Sequence, residues 1–430
     1  MKKIFLRVSI VLFLFFILQR FLLHDVELRH FIDENITIRS MRNFLRFGIF
    51  GPNVTAGAGY ETSCSSGIAT IWPSIFGWLW GGSIFSARIG FVIYNLVLFV
   101  GLVVLVVKKY YETLSEYALF LALALYLFCY LSISYFHAAS IHILGEVPGM
   151  FILGYGYYFL FQKRVSLAAF IFGIAVWHGK TIFLPFALLG IVLGWLKTGQ
   201  ILRPILYFAA PNFVWMLLIL LRSGFSGLWL YIKNVSGITA QLLISYSNLD
   251  AKEPLMVNAP KGLFARLRSD QVEWWYYDAA TRFKILFLMF SPLLLLWRAY
   301  RHYAKNHDPA NLVFWLGHAT IMSAFAFWYF YFHWEMWIRH ILPAMMFQFG
   351  VLSILGLSWL SKKEPKTQQR ILALIAILIV FKEGSKSPAL FKTLNGPDYK
   401  NRFSARCRVD NPWTVGDLEL KLLCETVDKK

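Results

Sequence analysis

Apolar runs near 20 residues long recur along almost the whole of this 430-residue chain, each bounded by Lys/Arg clusters or by loops rich in Gly, Pro, Asn and Asp. A helix needs about 20 apolar residues to cross the roughly 30 Å hydrocarbon core of a bilayer, and lipid offers no partner to an open backbone. Such a pattern confines the chain to an all-α, polytopic membrane fold. Composition agrees: 58% of residues are hydrophobic and 15% charged, with a mean hydropathy of +0.56, too apolar for a surface that faces water. The net charge of +19 does not signal nucleic acid, because the basic residues fall in short clusters between the apolar runs, where they set topology.

Lys2, Lys3 and Arg7 precede a first run over about residues 4 to 23, and no small-residue cleavage site follows it, so it reads as a spanning helix rather than a leader. With those cations in the cytoplasm, a first outer loop covers residues 24–85. Later runs, at about 88 to 107, 117 to 135, 147 to 161, 204 to 221, 283 to 297, 311 to 331 and 341 to 360, then place Lys108-Lys109, Lys163-Arg164, Lys197 with Arg203, Arg298 to Lys305, and Lys362-Lys363 on the inner side in turn. Two short runs, about 166 to 178 and 181 to 196, form a tight hairpin with Trp177-His178-Gly179-Lys180 at its outer tip, as expected of helices that line a cavity. A long outer loop covers 222–281, and loops of that length usually work. The expectation is about 11 transmembrane helices in a domain over 1–384, followed by an outer tail over 385–430. Cys407 and Cys424 share that tail, and outside the cytoplasm the redox conditions permit a bridge between them or two free thiols.

On this topology Asp33, Glu34, Arg88, Glu146, His178, Lys180, His333, Glu335, Arg339 and His340 come from separate segments to one face of the membrane. Each alone has a plain reading. Asp33, Glu34 and Glu146 suit helix starts, Glu146 ahead of Pro148; Lys180 and Arg339 suit snorkelling to the headgroups. Together they fit a polar pocket at the outer surface. His333, Glu335 and His340 lack the spacing of a dedicated zinc site. Trp274-Trp275-Tyr276-Tyr277, near Arg266 and Arg268, reads either as a cover over a lipid site or as an interfacial helix. Asn35, Asn53 and Asn234 begin glycosylation sequons that matter only in a eukaryotic lumen.

The residues Phe31-Ile-Asp33-Glu34-Asn35, followed by Met41 to Phe47 and Gly48-Ile-Phe50-Gly-Pro52, resemble the first outer loop of the glycosyltransferase-C superfamily. The likeness is strongest to its protein O-mannosyltransferase and lipid A aminoarabinose transferase branch. Ile71-Trp72-Pro73 through Gly82 and Arg88, then Gly173 through Lys180 to Pro185, then Trp337-Ile-Arg339-His340-Ile-Leu-Pro343, match that branch in order over about residues 1 to 360. Where the family more often has Asp, this chain has Glu146, and His178 replaces a small or hydroxyl residue.

The resemblance implies a GT-C fold and transfer of a sugar from a polyprenyl-phosphate donor to an acceptor hydroxyl on a glycan, lipid or protein, with inversion. The acceptor needs a base, for which Asp33 is chosen with Glu34 beside it. A phosphate leaves readily as an anion and needs cations rather than an acid, so Lys180, Arg339, Arg88 and His340 are the expected phosphate holders, with Glu146 also in the pocket. No cofactor or metal is asked for, although a divalent ion on the phosphate stays open. Short loops favour a bacterial inner membrane with the site facing the periplasm. The runner-up is a transporter or flippase for a lipid-linked or anionic substrate, which would place essential charges near the bilayer midplane, whereas here they lie toward the outer end; the lack of an internal repeat also speaks against it.

Overall fold

The computed structural model describes residues 41, 68–81, 89–95, 97–99, 101–102, 105, 145–179, 181–243, 279–306, 309–329, 338–371, 373–375 and 377–378. Among them the chain is helical, with no strand. In order, the helices are α1 (Ile68–Gly81), α2 (Ile89–Phe99), α3 (Glu146–Phe161), α4 (Val165–Gly173), α5 (Leu184–Thr198), α6 (Leu202–Leu243), α7 (Ala279–Asn306), α8 (Pro309–Phe327) and α9 (Ile338–Leu360). Four stretches are long and apolar enough to cross a membrane: Leu202–Leu221, Arg282–Lys305, Pro309–Phe327 and Ile341–Leu360. Ile89–Phe99, Val165–Trp177 and Leu184–Thr198 are apolar but shorter. The chain is therefore a membrane protein by the length and composition of its helices. Expected spans near 4–23 and 117–135 lie outside the described residues.

Two compact units divide the chain, one of His30–Lys362 and one of Met1–Arg29 with Lys363–Lys430. In the second, residues 365–371 are helical, and Gln368 donates its side-chain amide to the Lys363 carbonyl at 2.8 Å. All nine helices named above belong to the first.

Local sequence explains where those helices start and stop. Glu146 and Pro148 occupy the first turn of α3, where an acid meets the positive end of the helix dipole and proline lacks no bond it would have made. Gln162, Lys163 and Arg164 close a tight turn onto the carbonyls of Tyr158, Leu160 and Phe159, with Lys163 in the left-handed region. This turn makes α3 and α4 an antiparallel pair. Pro185 opens α5, and Gly199, at φ 70°, ends it by bonding the Trp195 carbonyl at 2.7 Å. α6 breaks at Gly224, whose φ 65° and ψ −168° are open to glycine alone, so the spanning stretch ends there and a second helical piece runs on to Leu243. The expected outer segment at 222–281 thus opens with helix.

The core of the larger unit is a meeting of small and aromatic residues. The Phe172 ring of α4 lies so close to Gly156 of α3 and Gly190 of α5 that neither position has room for a β-carbon. Gly173 brings α4 onto the backbone of α6 at Phe208, where Pro211 disturbs the helix. Tyr157 donates its hydroxyl to the Phe186 carbonyl at 2.7 Å, and its ring meets Phe172, Phe314 and Phe347. In hydrocarbon no hydrophobic force drives helices together, so close packing of this kind has to hold them. Outward, Leu206, Phe213, Leu221 and Leu294 remain exposed, as a lipid-facing surface requires.

Candidate functional site

Glu146 is the first residue of α3 and is 1% exposed, buried with Val147 and Pro148 behind it. Burying a carboxylate in an apolar bundle is costly unless surrounding groups meet it, and ionisable groups at such depth are functional more often than not. The elements around this end are specific. The chain leaves α4 through a single π-helical turn, Ile174–Gly179, and re-enters helix through a short 3₁₀ turn, Thr181–Phe183, before α5. π-helical turns of this kind cluster at functional sites. This turn packs against α3, α4, α6 and α1.

Close approaches fix the arrangement. Gly149 of α3 accommodates the Phe183 ring, one turn from Glu146. Trp177 in the π turn donates its indole N–H to the Phe208 carbonyl of α6 at 3.2 Å. α1 crosses α2 backbone to backbone where Gly90 meets Pro73 and Gly77. It buries Ser74 and Ile75 and leaves Trp72, Phe76 and Leu79 exposed along one stripe. An amphipathic helix with an exposed aromatic stripe suits a membrane interface. The N-terminus of α3, the start of α5, the π turn and α1 therefore share one end of the bundle.

Of the expected site residues, Glu146 alone has a described side chain. Arg339 and His340 fall in the first turn of α9, where the backbone is described, and α9 packs against α3, α7 and α8. Asp33, Glu34, Arg88 and Lys180 lie outside the described residues, although position 180 directly follows the turn that packs on α3. Among the described residues no three His, Cys, Asp or Glu side chains gather as metal ligands.

A second polar feature escaped the sequence reading. His318 of α8, Gln348 of α9 and Ser291 of α7 are all buried, in the middle of three helices of spanning length. Ser291 directs its hydroxyl to the Leu288 carbonyl at 3.3 Å, so its oxygen accepts from the Gln348 amide N–H at 2.5 Å. The Gln348 carbonyl oxygen then faces His318, whose Nε2 must carry the proton. His318 Nδ1 is left as a buried acceptor with no hydrogen-bond partner among the described residues. Phe314 stacks on the imidazole at 5.9 Å between centroids. The signal was present: a polar residue inside an apolar run is expensive and rarely idle.

The chain matches no protein-family model, no curated protein and no solved structure.

Proposed function

We propose that this protein is an integral membrane glycosyltransferase acting on a polyprenyl-phosphate-linked sugar, with its site at the end of the bundle where Glu146 is buried. The observation that carries this reading is the burial of Glu146 beside the π-helical turn that leads directly to Lys180. Lys180 is the next residue in sequence after that turn, which supplies a basic position for the phosphate. The ordered motifs around Asp33, Arg88, Lys180 and Arg339 support it from the sequence side.

In the reaction the acceptor oxygen attacks the anomeric carbon as the carbon–oxygen bond to phosphate breaks. Asp33 takes the hydroxyl proton, and the polyprenyl phosphate leaves as an anion held by Lys180 and Arg339. Glu34 flanks the base. Arg88 and His340 assist at the phosphate, and Glu146 orients the cations. The membrane is a bacterial inner membrane, with the site facing outward.

The test incubates purified protein with a panel of polyprenyl-phosphate sugars, with water or an added hydroxyl compound as acceptor, and measures release of the lipid phosphate. Turnover by wild type and its loss in Asp33→Asn are expected. Equal turnover by both removes Asp33 as base.

A second reading, a transporter or flippase for a lipid-linked or anionic substrate, is favoured by one observation, the His318, Gln348 and Ser291 chain in mid-helix. Failure to turn over any donor, with movement of a lipid-linked sugar between leaflets of a vesicle, would select it.

A further inference from the structure

The opposite end of the larger unit carries a different chemistry, and contacts along the helices define it. Gly149 meets Phe183, and Gly194 meets Val165 and Leu160, so α5 runs parallel to α3 and ends beside the turn at Lys163 and Arg164. Lys197, in the last turn of α5, sits over the Phe161 ring at 5.0 Å. α6 begins three residues beyond Gly199, so Arg203 is at the same end, 5.9 Å from the Tyr207 ring. α8 runs against α5, because Gly317 meets Leu189 while Phe325 stacks on Phe186. The start of α8, and with it the end of α7, therefore joins the others. There Arg301 lies over the Trp297 ring at 4.7 Å, with Lys305 one turn on.

Lys163, Arg164, Lys197, Arg203, Arg301 and Lys305 are all exposed. The segments 161–165, 196–203 and 297–306 contain no Asp or Glu, and Asp308, between α7 and α8, is the first acid to follow. Just inside the cations, Phe161, Tyr207 and Trp297 are themselves well exposed, and Leu206 and Phe213 continue an apolar outer surface away from them. Aromatic rings at the boundary, long cations reaching past them and an apolar wall behind match the layers of a lipid leaflet: headgroup, interface and hydrocarbon.

We infer that this rim binds the headgroups of anionic phospholipids, using paired cations from four helix ends as a selective lipid-binding surface rather than as a topology signal alone. Lipid is the occupant because the charges sit at the border of an exposed apolar wall, and a headgroup reaches the cations while its chains cover that wall. Each cation near a charged membrane strengthens attraction by roughly fivefold, so a pair removed together weakens it by roughly 25-fold. Salt weakens it further. The inference does not depend on what the Glu146 end does.

The experiment uses the full-length protein in neutral detergent, with phosphatidylglycerol, phosphatidylcholine or inorganic phosphate added at equal concentration. Bound lipid is counted by native mass spectrometry, and thermal unfolding is followed by tryptophan fluorescence. Wild type should retain phosphatidylglycerol over phosphatidylcholine and unfold several degrees higher with it. The paired variants Lys163→Gln/Arg164→Gln, Lys197→Gln/Arg203→Gln and Arg301→Gln/Lys305→Gln should each lose most of that preference while keeping the response to phosphatidylcholine. Equal retention of the two lipids by wild type overturns the inference, and so do variants that keep the preference. Stabilisation by inorganic phosphate equal to that by phosphatidylglycerol also overturns it, since a free anion then suffices. If a variant does not fold, the wild-type lipid count decides by itself.

Discussion

Gln348 of α9 donates its side-chain amide to Ser291 of α7 at 2.5 Å, and through its other end it bonds His318 of α8. One amide thus ties three span-length helices, and each member's donor or acceptor is committed by the next. Replacing Gln348 with Leu leaves both neighbours without it. A loss of about 0.6–2 kcal/mol is expected, the range of interhelical hydrogen bonds in membranes. The double variant Gln348→Leu/His318→Leu should lose less than the sum of the singles, because the imidazole is no longer stranded. Thermal unfolding in detergent measures both, and strict additivity would argue against a coupled chain.

Gly173 and Gly356 should respond in opposite directions to alanine. A β-carbon at 173 meets the Phe208 backbone, which cannot move aside without shifting α6, so Gly173→Ala should cost about 1–3 kcal/mol. At 356 nothing among the described residues lies within 4 Å and the residue is within α9, so Gly356→Ala should gain about 0.5–1 kcal/mol. Unfolding midpoints that moved the same way in both would contradict the packing described.

Gly224 tests backbone conformation free of packing. Among the described residues no atom lies within 4 Å of a β-carbon built there, so the penalty for Gly224→Ala is expected to come from φ 65° and ψ −168°. About 1–3 kcal/mol is expected, unless α6 straightens to relieve it. Circular dichroism would separate the outcomes, since straightening adds helix.

For the proposed transferase, Asp33→Asn should lower turnover by about 10²–10⁴, the usual contribution of a general base. Lys180→Ala and Arg339→Ala should each cost about 10²–10³ in kcat if they stabilise the leaving phosphate. A rise in KM with kcat unchanged would instead assign them to uniform donor binding. Steady-state assays on purified variants distinguish the two.

The helical class and the late spans were legible because apolar length is a direct physical requirement of lipid. The expected spans at 204–221, 311–331 and 341–360 end within four residues of the spanning stretches at Leu202–Leu221, Pro309–Phe327 and Ile341–Leu360, while the span expected at 283–297 runs on as Arg282–Lys305. The short hairpin around Trp177 was also expected, and it is present as α4, the π turn and α5. The helix beyond Gly224 was harder to see, since residues such as Asn234 and Ser236 read as loop when neighbours are unknown. At the candidate site, burial of Glu146 could not be deduced from an acid at a helix start, because an exposed N-terminus uses the same residue type. The chain through Gln348 was missed because its members lie 27 and 30 residues apart in sequence, and hydropathy carries no information about which faces meet.

Phe172 has a mechanical consequence. Its ring occupies the notch left by Gly156 on one neighbour and Gly190 on the other, so it acts as a dowel through three adjoining rods. None of the three can slide or roll without expelling that dowel, so α3, α4 and α5 must move as one block. Any gating during a working cycle has to open seams elsewhere, and the block offers a fixed abutment against which those seams close.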